Sequence, residues 1–275
     1  MDPIGCGELA ELVEGTLRFG AMPPLGGSWE PVGRVTTCCE CVTPGDVYWA
    51  VETEEQGAHR LMEAFCRGAR GAVSQLADAP AFDGSFLITV DDALETLCQF
   101  GRWRRTNYEG KLAVIGPALG ARQVVGFFHA DDNDPASVHR VGEIQGICSA
   151  AESLTTLAAR DFSVFSLSPE SLSDFDEISH LCCPHVICIN SLPSGKPTRT
   201  EPANHHEQVL AGTEGVPDDV CLVYVDVKQQ TVTLQRSSVV ELLDNVDWKS
   251  VLPTLPSAQH AVALACWGVA RALEY

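Results

Sequence analysis

Residues 110–128 read GKLAVIGPALGARQVVGFF, and the fold is decided by how they are read. Lys111 to Ile115 is a short apolar run between two glycines, the pattern of a buried strand. Gly116, Pro117 and Gly120 then predict a tight turn, and Arg122 to Phe128 the start of a helix that Gly126 weakens. Strand, glycine turn and helix is the layout of a phosphate-binding loop, in which backbone N–H groups and a helix N-terminus hold an anion. Gly116, Gly120 and Arg122 are therefore the candidate cofactor-binding residues. The Lys-Ser/Thr pair that would reach the phosphates and a magnesium ion is missing, so an ordinary strand-to-helix turn stands beside that reading.

Upstream, Glu8 to Leu17 carries the apolar stripe of a short amphipathic helix at Leu9, Leu12, Val13 and Leu17. Val32 to Thr37 and Val47 to Val51 predict strands around the turn Thr43-Pro44-Gly45-Asp46. A helix over 59–68 and strands over 71–75 and 86–90 follow, and Asp92 with Glu95 predicts a capped helix start. Downstream, an acidic turn at His129 to Pro135 precedes a predicted helix from Glu143 to Ala159. Strands are expected over 162–167, 186–189, 220–227 and 231–235, with the helix-like SDFDEISHL between the first two. Pro193 to His206 is a polar loop, Val239 to Leu243 is read as a short helix, and a final helix runs from Ala258 to Leu273, with Ser257 as its N-cap. Strands alternating with helices imply an α/β fold with a largely parallel sheet, divided near Asn107 into domains 1–107 and 108–275.

Composition narrows the function. The 275 residues are 45% hydrophobic and 20% charged, which is globular rather than disordered. A formal net charge of −19 repels nucleic acid and anionic lipid, so neither is an expected partner. The first residues, MDPIGCGELAEL, lack the charged and apolar regions of an export signal, and the longest apolar stretch, Ala261 to Ala270, is too short to span a membrane. The expected location is cytoplasmic, with no membrane insertion. The 12 cysteines read as small buried hydrophobes rather than a disulfide scaffold.

Six blocks carry a family resemblance. VTTCCECVTPGDVYWAV (35–51) is similar to VSTDSRxVxPGDLFVAL, and EAFCRGARGAV (63–73) to EAxxRGAxAVV. GRWRRTNYEGKLAVIG (101–116) stands where a helix leads into GKxIAITG, and the stretch 142–168, GEIQGICSAAESLTTLAARDFSVFSLS, is similar to NNEIGVPLTLLxLxxxxDFAVLELG. CCPHVICINSL (182–192) is similar to RPDVAVITNIG, and SAQHAVALACWGVARAL (257–273) to GxHNVxNALAAxAVAxxL. In this order the chain resembles the Mur ligases of peptidoglycan synthesis, most closely the branch that adds D-alanyl-D-alanine to the UDP-muramoyl tripeptide. The resemblance implies a Mur-ligase-like N-terminal α/β domain followed by a shortened P-loop-type central α/β domain, without the family's third domain.

The positions that carry the family's chemistry are replaced. Its ATP loop, GSNGKTTT, aligns with 116–123, where no lysine falls and Arg122 is the nearby cation. The magnesium-binding glutamate aligns with Ser166, and the histidine after TNIG has no counterpart in SLPSGKP. His205 and His206 occupy the region of the modified lysine. The Ser-Arg pair that grips the UDP group aligns with Cys39 and Glu40, and Glu40 brings a negative charge towards a diphosphate. These losses predict a protein without catalytic residues, metal site or cofactor that binds a protein partner or a residual UDP-sugar-type ligand. The alternative is a divergent ATP-dependent amide-bond ligase using ATP and magnesium.

Other clusters are weighed and set aside. Cys38, Cys39 and Cys41, and separately Cys182, Cys183, His185 and Cys188, are the metal candidates, but neither is read as having the clean C-x-x-C spacing of zinc knuckles, and on a strand His185 and Cys188 would point to opposite faces. A reactive thiol at Cys38 or Cys39 lacks an identifiable base. His205, His206 and Glu207 read as solvated, as do Asp131, Asp132 and Asp134, and Ser166 and Ser168 lie in no G-x-S-x-G elbow.

Overall fold

The structure is a computed structural model and describes residues 4–51, 54–116, 119, 138–157, 162–168, 174–189, 220–226, 231–236, 239–242 and 257–274. The chain divides into two compact units, Met1–Tyr108 with Cys148–Ala158, and Glu109–Ile147 with Ala159–Tyr275.

The first unit is built on a five-stranded sheet in the order β1-β5-β4-β3-β2. Its elements are α1 (Cys6–Leu12), β1 (Thr16–Phe19), β2 (Val35–Thr36), β3 (Val47–Ala50), α2 (Glu54–Cys66), β4 (Gly71–Ser74), β5 (Phe86–Thr89) and α3 (Ala93–Thr106). β2 to β5 are mutually parallel, and β1 closes the edge antiparallel to β5. The strand β3 reads VYWA and is buried on both faces, as expected for a parallel strand between layers. Tyr48 and Ala50 join Cys39, Leu61, Ala64 and Leu87 in one cluster. On the other face the Trp49 Nε1–H donates to the Ala93 carbonyl at 2.7 Å, and its ring stacks on Phe100 at 5.9 Å.

Asp92 caps α3 by accepting the Glu95 N–H at 2.9 Å, while Arg104 and Arg105 complement its carboxyl end. The predicted helix over 8–17 stops at Leu12. Glu14 adopts φ 51°, Gly15 follows, and β-branched Thr16 starts β1, which places Leu17 in register with Ile88.

The second unit carries a seven-stranded sheet in the order β12-β11-β10-β9-β6-β8-β7. The added elements are β6 (Lys111–Ile115), β7 (Val138–Ile144), α4 (Ile147–Thr155), β8 (Phe162–Leu167), α5 (Phe175–Cys182), β9 (Val186–Ile189), β10 (Cys221–Asp226), β11 (Thr231–Arg236), β12 (Val239–Leu242) and α6 (Ser257–Glu274). β7, β8, β6, β9 and β10 are parallel, while β11 and β12 continue antiparallel. The helix α6 packs Leu264, Cys266 and Val269 into the cluster that holds Ala113, Ile115 and Cys188.

Two segments of this unit depart from the sequence expectation. Glu143 and Ile144 end β7 rather than begin a helix, because Ile144 pairs with Leu167 and Gly146 separates the strand from α4. From Cys148 onward that helix groups with the first unit, where Gly101 of α3 lies close enough that a Cβ there would be 3.2 Å from the Ala151 carbonyl oxygen. Val239–Leu242 is a strand rather than a short helix. Register puts Arg236 opposite Val239, leaving only Ser237 and Ser238 to connect them, a hairpin spacing. The strands over 111–115, 162–167 and 186–189 fall where the apolar runs place them.

Gly71 gives a direct test of the first core. A Cβ at Gly71 would overlap the Phe86 ring, which is fully buried. Gly71→Ala is expected to lower stability by about 1–3 kcal/mol through overpacking, read as a lower denaturant midpoint at unchanged slope.

Candidate functional site

In the second unit the chain reverses direction across the sheet at β6, which lies between β8 on one side and β9 on the other. Open α/β sheets bind ligands outside the carboxyl ends of strands at such a switch point. Gly116 stands there, directly after β6. Its N–H donates to the Cys188 carbonyl at 2.6 Å, and a Cβ would come within 3.1 Å of Ile189 Cγ2 and 3.2 Å of the Cys188 oxygen. A larger residue would need β9 to give by a few tenths of an ångström, and the Gly116 N–H is committed to the ladder. Leu119 returns a 3.4 Å turn bond from its N–H to the Gly116 carbonyl and is fully buried in the cluster under α6.

On the neighbouring strand, Ser166 is in register with Ile115 on one side and with Glu143 of β7 on the other. Ser166 is half-buried and Glu143 is exposed, so the carboxylate nearest the switch point along this row comes from β7. Gly120 and Arg122 lie outside the described residues, as do His129 to Pro135, His205, His206 and Glu207.

In the first unit the residues of interest lie on one turn. Cys38 leads into a 3-10 turn, Cys39–Cys41, and the Cys41 N–H donates to the Cys38 carbonyl at 3.0 Å. Cys39 is fully buried and belongs to the apolar cluster of β3 and α2. Burial, then the hydrogen bond and charge of Glu40, push its thiol up to about 11. Glu40 is fully exposed, and hydrogen bonds from its own backbone N–H and from Cys39 and Cys38 hold its carboxyl below the usual range. It is an anion on the outer side of the turn.

The turn is fastened from several sides. The Thr37 hydroxyl and N–H donate to Glu152 Oε2 of α4 at 2.6 and 3.2 Å. Arg34 Nη2 donates to the Cys41 carbonyl at 2.9 Å and to Asp46 Oδ2 at 2.6 Å, and Arg67 Nη1 donates to the Glu40 carbonyl at 3.2 Å. Asp46 also accepts from the Thr43 N–H and hydroxyl, both at 2.8 Å, across the predicted Thr43-Pro44-Gly45-Asp46 turn, in which Gly45 has φ 97°. A groove of about 400 Å³ runs beside it, lined among others by Pro44, Phe65, Gly68, Arg70 and Asp83.

The second cysteine cluster does not converge. The Leu112 N–H donates to His185 Nδ1 at 3.0 Å, while Cys188 is fully buried in the α6 cluster, where burial and then Cys266 raise its thiol far above its ordinary value. Among the described residues no three His, Cys, Asp or Glu side chains are grouped to hold a metal. No described helix is long and apolar enough to cross a membrane. The expectation that neither cluster has clean C-x-x-C spacing is corrected for the first, because Cys38 and Cys41 are spaced C-x-x-C and the structure brings their sulfurs to 2.7 Å.

Burial alone would raise the Asp46 carboxyl, but the Arg34 and Thr43 hydrogen bonds outweigh it and the value is depressed. A depressed folded-state value contributes stability above the unfolded carboxyl, about 3.9, and loses it as pH falls through the folded one. Asp46→Asn should therefore cost about 1–3 kcal/mol at neutral pH, with the gap to the parent closing below about pH 4 in urea melts taken across pH.

Comparison with known proteins bears on the fold. No protein-family model matches the sequence, and no curated protein matches it. Among solved structures, MurF from Acinetobacter baumannii is similar over 100% of this chain and 66% of its own, with TM-score 0.61 and 15% identity. The UDP-N-acetylmuramoylalanyl-D-glutamyl-2,6-diaminopimelate–D-alanyl-D-alanyl ligase of the same organism gives 0.57 and 13% identity over 98% of this chain and 66% of its own. The MurF ligase of Thermotoga maritima in complex with ADP gives 0.54 and 12% identity over 88% of this chain and 63% of its own. The chain thus has a Mur-ligase-like α/β fold and spans just under two thirds of the length of these ligases.

Proposed function

We propose that this Mur-ligase-like protein no longer performs ATP-dependent ligation and acts by binding a protein partner or a UDP-sugar-type ligand. The observation that carries this reading is the carboxyl end of β6. The Gly116 N–H is taken by Cys188, Leu119 is folded into the core, and the adjacent strand brings the Ser166 hydroxyl rather than a carboxylate. Phosphoryl transfer depends on cations positioned around the transferring group, and a hard divalent ion needs anionic oxygen donors. Gly116, Leu119 and Ser166 themselves offer neither a cation nor an anionic oxygen to a magnesium–nucleotide pair, and we assign neither as a cofactor. In the first unit, Cys39 is a core residue and Glu40 is an exposed anion, a combination that opposes a diphosphate.

A second reading, a divergent ATP-dependent amide-bond ligase, is favoured by one observation. Glu143 stands in register with Ser166 and is exposed, so β7 offers the carboxylate that β8 lacks. Calorimetric titration with ATP and magnesium, alone and with a UDP-muramoyl peptide, separates the two. The first reading expects no nucleotide heat and no ADP release. ADP release that disappears in Glu143→Gln would overturn it in favour of the second.

A further inference from the structure

We propose that Cys38 and Cys41 form a reversible dithiol–disulfide site, whose co-reactants are low-molecular-weight disulfides such as glutathione disulfide. In a 3-10 turn, side chains three residues apart eclipse one another. Cys38 and Cys41 hold that relation, fixed by the 3.0 Å bond from the Cys41 N–H to the Cys38 carbonyl. The Cys38 thiol points at Cys41 Sγ, 2.7 Å away, and a disulfide bond is about 2.05 Å, so closure needs the sulfurs to move by only ~0.7 Å. The third cysteine of the turn is excluded by position, since Cys39 is fully buried in the cluster of β3 and α2.

Access sets the order of events. Cys41 is exposed and Cys38 half-buried, so Cys41 meets the incoming disulfide. The Cys41 thiolate attacks one sulfur of R–S–S–R, forming a mixed disulfide and releasing RS⁻. Cys38 then attacks Cys41 Sγ, closing the Cys38–Cys41 bond and releasing the second RS⁻. Two protein thiols are oxidised, one disulfide is reduced to two RSH, and the two protein protons end on the two leaving thiolates. The backbone on which this happens is already held by Arg34 at the Cys41 carbonyl and by Arg67 at the Glu40 carbonyl, so closure reorders little else. Shared hydrogen bonding with Cys41, then burial, raises the Cys38 thiol to about 11. Closure should accordingly quicken as pH rises through the neutral range, because only the thiolate attacks.

The site can be read on the intact chain. The protein is equilibrated with glutathione and glutathione disulfide at fixed ratios, free thiols are alkylated, and the tryptic peptide 35–60 is fragmented in a mass spectrometer. That peptide contains Cys38, Cys39 and Cys41 and no other cysteine. The expected result is loss of two hydrogens with a bond between Cys38 and Cys41, reversed by excess thiol. Cys38→Ser should instead trap a stable glutathione adduct at Cys41. Persistent glutathione on Cys41 of the parent, a bond involving Cys39, or alkylation of both Cys38 and Cys41 under conditions that oxidise exposed Cys66 would each overturn the proposal. So would stoichiometric zinc in the purified protein that blocks alkylation of this pair.

Discussion

The hydrogen bond from the Gly116 N–H to the Cys188 carbonyl fixes the geometry of the second unit. It carries the β6–β9 pairing one residue past the strand, at the position where the chain must turn away. A Cβ there would press on Ile189 and the Cys188 carbonyl at 3.1 and 3.2 Å, so glycine eases the close approach of the two strands. With β6 held between β8 and β9, its Ala113 and Ile115 fall on the face that α6 covers. The register of one strand therefore determines what the helix buries. The same bond withdraws one donor from any anion at the switch point. The glycine that reads as a candidate phosphate ligand in the sequence also closes the sheet between β6 and β9.

The turn of the first unit is organised by charge rather than by apolar contact. Arg34 spans from Asp46 to the Cys41 carbonyl and Glu152 reaches Thr37, so residues 37–46 are tied at both ends and from α4. Arg34 is half exposed while the Asp46 side chain is only 8% exposed, which makes the carboxylate the buried partner and the more sensitive one to lose. Cys39 anchors the middle of this segment by joining the core beneath it. With Cys39 turned inward, Glu40 and Cys41 face solvent.

Much of this fold is legible in the sequence, and the exceptions have physical causes. Buried parallel strands are short continuous apolar runs, so Lys111–Ile115, Phe162–Leu167 and Val186–Ile189 can be read directly. The stretch Val239–Leu242 is too short for periodicity to separate helix from strand, and its state is decided by pairing with β11. Ile144 fits the helical stripe of the following residues equally well, and only its partner Leu167 on β8 assigns it to a strand. At the candidate site, Cys39, Glu40 and Ser166 are visible in the sequence as residue types. Their meaning is not, because burial makes Cys39 a core residue and register brings Glu143 beside Ser166.

The cysteines sharpen that distinction between type and environment. Cys39, Cys188 and Cys266 are buried among aliphatic side chains, and burial is the leading cause that raises each thiol, so they behave as small hydrophobes. Cys38 and Cys41 have the same composition and a different fate, because a 3-10 turn at the surface eclipses them. Residue count places all of these in one class, and local backbone geometry separates them. The same logic explains how a Mur-ligase-like fold is retained at 12–15% identity to solved ligases. Sheet and helix packing tolerate many apolar substitutions that preserve pattern and volume, whereas a nucleotide or metal site depends on a few individual side chains.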